Sequence, residues 1–394
     1  MKSVVIASAR RTPIGKFMGG LAKLSAADLG ASVVPQVLAD AGIEGKDADE
    51  LLFGCGRQAG GGPNVARQVA IRSGLPESST AVTLNMACGS GLLSIIEGRN
   101  AIQRGESTAV VAGGTESMSR LPYYLENARD GYRLGHGQLV DGMYRDGFHC
   151  PMADQLMGAT AENLAEEFSI SRDEQDEYAV ETQRRCEVAR NEGRFTDEIV
   201  PIEIPSRKGA IRIEGDEHPR DGVTLASMQK LKPVFKDGGS VHPGNSSGIT
   251  DGAAALVLAD EEWAKSRSLP VLARVGASSR AGVEPRRMGI GPVPAVRKLL
   301  EQTGRSLSDY DLIELNEAFA AQVIACDREL KFDREKLNAN GGSIALGHPI
   351  GATGARIVIT LIHELRRRGG GLGLATLCIS GGQGLALELE VPGA

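Results

Sequence analysis

From Ser3 to about Thr115 the chain alternates short apolar, β-branched runs (SVVIA, ELLFG, AVTLN, TAVVAGG) with longer stretches of helical spacing such as SAADLGASVVPQVLADAG. That order predicts an α/β layer structure whose sheet is mostly covered. A first strand is expected over Ser3 to Ala9 and a short buried one over Ala81 to Asn85. The next segment, Gly91 to Gly105, carries Leu92, Leu93, Ile95, Ile96 and Ile102, which suits a helix buried on most of one side. From about Arg120 to Gly248 glycine, charge and proline rise, and irregular loops are expected around one amphipathic helix, doubled, in SRDEQDEYAVETQRRCEVARNEG. Ser171 reads as its N-cap and Glu174 as the capping-box partner. An insertion of this size commonly covers a ligand.

From about Pro270 the first pattern returns in the same order. LPVLARVGASSRAG echoes SVVIASARRTPIG, SDYDLIELNEAFAAQ echoes DADELLFGCGRQAG, and GLGLATLCISGGQG echoes STAVVAGGTES. The reading is an internal duplication with the insertion lodged in the first half. It gives an N-terminal half over residues 1–119, completed by 249–270, an insertion over 120–248, and a C-terminal half over 271–394.

Composition narrows the function classes. A chain of 394 residues is longer than one core usually grows, and 41% hydrophobic with 24% charged residues is ordinary for a soluble globular enzyme. A net charge of -6 offers no basic face for nucleic acid, so an anionic ligand must be held by local positive groups. The apolar run before Arg10 is too short for a signal-peptide core, and no window reaches the length of a membrane span. Six scattered cysteines without a CxxC pair argue against a zinc site and a disulfide framework, and point to a reducing cytoplasm.

Four stretches carry candidate chemistry. In NMACGSG, Cys88 sits at a strand-to-helix elbow, where Ala87 and Gly89 permit a sharp turn and the helix N-terminus lowers the thiol pKa. The alternative is a structural cysteine packed under the helix. In NGGSIALGHPIGATGARIVITLIHEL, His348 lies in a glycine-dense loop as a general-base candidate, against a phosphate-cradling loop that lacks the P-loop Lys-Ser/Thr ending, or a structural histidine. CISGGQG gives Cys378 a setting like that of Cys88, and NEAF places Asn316 at a strand end, where a helix cap is the plainer reading. His149 and Cys150 have no ligand spacing around them and are read as structural.

These four blocks occur in the order and spacing of the thiolase family, and the resemblance runs the length of the chain. The insertion is similar too, with MGATAEN from Met157, then SRDEQDEYA, GRF with DEIVPIEI, Arg220 before LKPVF, and GNSSGITDGAAA. The resemblance implies two duplicated α/β halves in a layered α-β-α-β-α core with a loop-rich, CoA-binding insertion. It implies reversible condensation and thiolysis of acyl-CoA thioesters, either two acetyl-CoA to acetoacetyl-CoA or cleavage of a 3-oxoacyl-CoA, within fatty acid metabolism and β-oxidation. Cys88 would take the acyl group, His348 would remove its proton, and Cys378 would act as acid and base on the second acyl-CoA. One oxyanion hole would be Asn316, through a water, with His348; the other would be the backbone N–H groups of Cys88 and Ser380. Ser380 stands where the family usually has glycine, so its backbone angles must suit a side chain.

By the same resemblance Arg220 lies by the adenine and phosphates, Ser247 bonds the pantetheine, and Met157 lines its tunnel. Acyl-CoA and CoA are the implied small-molecule partners, with no permanently bound cofactor, no metal, and a homo-oligomer, dimer or tetramer. Leu156 stands where acetoacetyl-CoA enzymes of the family carry histidine, which leaves longer 3-oxoacyl chains open. The rivals are a ketoacyl or hydroxymethylglutaryl synthase, which would lack Cys378, and a non-catalytic thiolase-like lipid-binding protein, which would have no need of all four residues.

Overall fold

The computed structural model describes residues 2–207 and 209–393; Met1 and Ala394, the outermost residues of the two expected halves, lie outside them with Lys208. Strand β1 (Val4–Arg11) leads to α1 (Ala26–Ala41), β2 (Glu50–Gly54), α2 (Val65–Arg72), β3 (Thr80–Leu84), α3 (Ser90–Arg104) and β4 (Ala109–Ser117). After α4 (Met157–Glu167) and α5 (Arg172–Asn191) the chain rejoins the sheet as β5 (Thr250–Asp260). The rest runs β6 (Ala273–Gly282), α6 (Pro292–Thr303), β7 (Leu312–Leu315), α7 (Ala320–Leu330), α8 (Ile350–Arg367), β8 (Gly371–Ile379) and β9 (Gln383–Val391).

The strand order is β7-β8-β9-β6-β1-β5-β4-β2-β3, with the two-residue strand Gly15–Lys16 paired to β5. β2 runs parallel to β3 and β4, and β7 parallel to β8. Strands β1, β5, β4 and β2 thus follow the same path in one half as β6, β9, β8 and β7 in the other. The three weak string echoes fall on three of these pairs: β1 with β6, β2 with β7, and β4 with β8. The duplication is therefore a structural repeat.

Between the halves the sheet is thin, because β1 and β6 pair only through Val5 with Arg274 and Ile6 with Ala273. Helices α3 and α8 do the joining. Ile95, Ile96, Ile357 and Ile359 are buried in one apolar cluster with Leu258 of β5 and Leu387 of β9. Outside, α1 and α2 cover the first half through Val33, Val37 and Val69, while α6 and α7 cover the second through Val296 and Ile324. These are the five layers, α-β-α-β-α, that the sequence led us to expect.

The two central helices touch at their first turns. A Cβ on Gly354 would lie 2.2 Å from the Leu92 nitrogen, and one on Gly91 would lie 2.8 Å from that of Ala355. Only glycine admits so close an approach. It brings together the residues just upstream of each helix, Cys88 and His348.

Three local expectations are corrected. β3 is the sheet edge rather than a buried strand, and Val82 is 45% exposed. β-branched content marks extended chain but does not say whether both edges are paired. α3 is buried around more of its surface than one side, Ser90, Ser94 and Arg99 included, because it lies between two half-sheets. The doubled helix is α4 followed by α5, and the stretch opened by Ser171 is itself one unbroken helix of 20 residues with the expected capping box.

Candidate active site

The chain leaves β3 and turns at Ala87, whose φ of 44° lies in the left-handed region. Gly89, the N-cap of α3, has an ordinary φ of -79°, so the sharp turn falls on Ala87 alone. The smallness of Gly89 serves packing instead, since a Cβ there would lie 2.7 Å from Ile379 Cδ1. Between them Cys88 is buried, with Sγ 3.2 Å from His348 Nε2. Burial pushes its thiol up; the Arg57 charge and the backbone N–H groups of Ser380 and Cys88 pull the other way without prevailing. The expectation of a lowered thiol pKa is overturned: the sulfur precedes the N-cap and is buried, and desolvating a thiolate outweighs those donors.

His348 is placed between Gly347, at φ 99°, and Pro349, the N-cap of α8. Its Nδ1 lies 2.6 Å from Thr353 Oγ1, and that hydroxyl lies 3.0 Å from the Pro349 carbonyl, to which it donates. A hydroxyl has one proton, already given to the carbonyl, so Nδ1–H donates to Thr353. Nε2 is left with a lone pair facing the Cys88 thiol. Burial, then Arg356 and Arg57, lower the imidazole pKa to about 3, so the ring is neutral over the whole working range.

Asn316 follows β7 and Cys378 lies near the end of β8. The parallel register, Leu315 against Thr376, delivers both at the same end of the sheet. Cys378 is fully enclosed, and burial followed by the neighbouring Cys88 raises its thiol pKa well above the usual range. Asn316 accepts from the Ser343 hydroxyl at 2.6 Å, and Ser343 in turn accepts from Arg356 Nη2 at 2.9 Å. This fixes the amide orientation and leaves Asn316 Nδ2 as a buried donor without a partner. The positive-φ positions of the turn after β8 are Gly381 and Gly382; Ser380 is not among them, so a side chain there is tolerated.

Cys88, His348, Cys378 and Ser380 line one cavity of about 550 Å³, together with Met157, Ser247 and Arg220. Phe235, Met288 and Phe319 make much of its wall apolar. Asn316 is not in that wall but behind it, wholly buried. Arg220 is exposed and forms no ion pair among the described residues. A deprotonatable sulfur against a bare imidazole nitrogen, a second sulfur in the same cavity, and unused N–H donors suit covalent acyl capture followed by proton transfer.

Three residues of this arrangement escape a reading of the sequence. Thr353 lies in the first turn of α8 and Ser343 opens the four-residue helical turn Ser343–Leu346, positions where hydroxyl residues are commonplace. Arg57 stands in the glycine-rich stretch GCGRQAGGG after β2 and lines the cavity. A lone charge among glycines at a strand end is the signal that could have marked it. Among the described residues the His149 ring bonds Asp154, at 3.1 Å, and no group of three metal-ligating side chains occurs.

Comparison with known proteins adds to this geometry. Residues 4–262 match the model of the thiolase N-terminal domain and residues 269–391 that of the thiolase C-terminal domain. The chain is 50% identical over 390 residues to an acetyl-CoA acetyltransferase of Pseudomonas aeruginosa, covering 99% of each. It is also 50% identical over 391 residues to one of Escherichia coli, again with 99% of each covered. Among solved structures it resembles the acetyl-CoA acetyltransferase of Bacillus anthracis, with a TM-score of 0.97, 46% identity and 99% of both chains covered. Human mitochondrial 3-ketoacyl-CoA thiolase in complex with CoA is similar at a TM-score of 0.95 and 41% identity, covering 99% of this chain and 98% of that one.

Proposed function

The chain belongs to the thiolase family, and from that premise we propose that Cys88, His348, Cys378 and Asn316 carry its reaction in the roles described below. The protein is an acyltransferase that makes or breaks the carbon–carbon bond of 3-oxoacyl-CoA thioesters, with acyl-CoA and CoA as substrates.

The observation that carries the residue roles is the 3.2 Å contact between Cys88 Sγ and His348 Nε2 in a cavity that also holds Cys378. With the thiol raised and the imidazole lowered, the resting pair is neutral on both sides. The proton passes to Nε2 as sulfur attacks the thioester carbon, not before. The acyl group is held on sulfur while CoA leaves. In synthesis the departing CoA sulfur takes the Cys378 proton, and the thiolate so formed takes the α-proton of the second acyl-CoA; in cleavage the Cys378 thiol gives its proton to the leaving enolate.

Charge develops on thioester oxygen in both steps. The backbone N–H groups of Cys88 and Ser380 serve one oxyanion. The other is served by His348 with the free Asn316 Nδ2, through a water. A donor of this kind contributes about 3–4 kcal/mol to the transition state. Met157 and Ser247 are assigned to the pantetheine arm, and Arg220 at the cavity mouth to the adenine and phosphates.

The division into two halves with a substrate-covering insertion over 120–248 belongs to the same reading, as do a homo-oligomeric state, a cytoplasmic setting and a place in β-oxidation. Among the described residues no helix is long and apolar enough to cross a membrane. The acetyl-CoA acetyltransferases among the relatives favour acetoacetyl-CoA; Leu156, which lines the cavity, favours longer 3-oxoacyl chains as a second reading.

Cys88→Ala is expected to abolish CoA-dependent cleavage of acetoacetyl-CoA while leaving the circular dichroism spectrum unchanged, and retained turnover would reject Cys88 as nucleophile. Cys378→Ala is expected to accumulate an acyl group on Cys88 that intact-protein mass spectrometry detects, without completing condensation. Absence of that adduct would reject the division of labour between the two thiols.

A further inference from the structure

One cation in the cavity wall is left unused by these roles. Arg57 is 8% exposed and lines both the catalytic cavity and an adjoining one of about 460 Å³. Gly147, Met157 and Ser380 also border both. A guanidinium has five N–H donors. Here Nη2 donates to the Gly147 carbonyl at 3.0 Å and Nη1 to that of Gly56 at 3.4 Å, while Nε is buried with no partner.

Among the described residues Arg57 forms no ion pair. Glu116, whose carboxylate feels its charge, accepts instead from the backbone nitrogens of Gly56, Arg57 and Gly351. A buried guanidinium that no carboxylate bonds, with Nε unpartnered, is costly, and a ligand that brings an anion to it offsets the cost.

We propose that Arg57 receives a carboxylate at the far end of the acyl chain, so that the enzyme prefers 3-oxoacyl-CoA esters that carry such a group. The inference rests on the acyl-Cys88 reading above. A chain held on Cys88 shares its cavity with Arg57, and a carboxylate matches the planar fork of the guanidinium with two parallel bonds. A hydrocarbon tail would cover the same charge and return nothing. The adjoining cavity is polar, since Gln58, Asn85, Arg145 and His149 line it together with Asp146, whose carboxylate already accepts from the Tyr124 hydroxyl. The sulfur anion is the weaker claimant, because the backbone N–H groups of Ser380 and Cys88 already favour it.

The test is thiolysis of two six-carbon 3-oxoacyl-CoA esters, one ending in methyl and the other in a carboxylate. For the unmodified enzyme kcat/KM is expected to favour the carboxylate at least about tenfold, as a site built around a charged partner rejects the analogue lacking it. Arg57→Gln is expected to move that ratio at least about 30-fold toward the methyl ester, and Arg57→Lys to restore part of it. Both substrates are read on one preparation, so any loss of folded protein cancels. A unit ratio in the unmodified enzyme, or an equal loss on both substrates in Arg57→Gln, would overturn the proposal; the equal loss would assign Arg57 to the anion at Cys88. Failure of the unmodified enzyme to cleave either ester or acetoacetyl-CoA would overturn the thiolysis reading itself.

Discussion

The proton of His348 is placed by a hydroxyl one turn further along the chain. Thr353 accepts from Nδ1 while donating to the Pro349 carbonyl, so its loss frees the ring to adopt the other tautomer or to rotate away from Cys88. Thr353→Val, close in shape, is expected to lower kcat about 10- to 100-fold, the usual range for groups that orient a catalytic histidine. KM for the acyl-CoA should stay within about twofold, and Thr353→Ser should recover most of kcat. An equal fall in Thr353→Val and Thr353→Ser would point to packing rather than tautomer control. Ser343→Ala should act in the same way on Asn316, releasing its amide to flip and lowering the condensation rate about tenfold. Cys88, His348, Cys378 and Asn316 are legible as candidates from their glycine-rich or strand-end settings only when the four blocks are taken together, in the order the thiolase family has them. Thr353 and Ser343 are not, because what they do depends on a partner that only the folded chain brings near.

At the scale of elements, the site depends on how closely α3 and α8 approach. Gly354→Ala would push a methyl group toward the Leu92 backbone, which has no soft rotamer through which to yield. A destabilisation of about 2–3 kcal/mol is expected from urea unfolding, within the usual range for overpacking. The first turns would part, so alkylation of Cys88 by iodoacetamide should slow as well. Gly215→Ala, where nothing lies within 4 Å of an added Cβ, should change stability by less than about 0.5 kcal/mol and serves as the comparison. A neutral Gly354→Ala would mean the helices have room to spare. Element types were readable from periodicity, and the α5 start from its Ser171 to Glu174 capping box. What periodicity lacked was position: β3 reads like an interior strand and lies at the edge, and α3 reads like a one-sided helix and is enclosed. Burial of an element is decided by partners hundreds of residues away.

For the whole molecule, folding holds His348 uncharged, and this couples the site to stability. In the unfolded chain a histidine takes up a proton near pH ~6.5, whereas in the fold burial and two nearby cations delay uptake to a pH of about 3. Between those values the unfolded state holds one more proton, so stability rises with pH and is lost as the solution is acidified from about 6.5 toward 3. The contribution is about 1.4 kcal/mol per pH unit while that difference persists. His348→Gln removes the titrating group and keeps a side chain of similar reach. Its unfolding free energy should therefore fall less steeply than that of the unmodified protein between pH 6 and 4, by about the slope of one proton. Carboxylates and the other histidines titrate in both proteins and cancel in the difference. The comparison is made at one protein concentration, because a subunit equilibrium would add its own dependence. Parallel curves would mean that His348 takes up its proton in the fold as readily as in water, and Nε2 would then not be a bare acceptor toward Cys88 in mild acid.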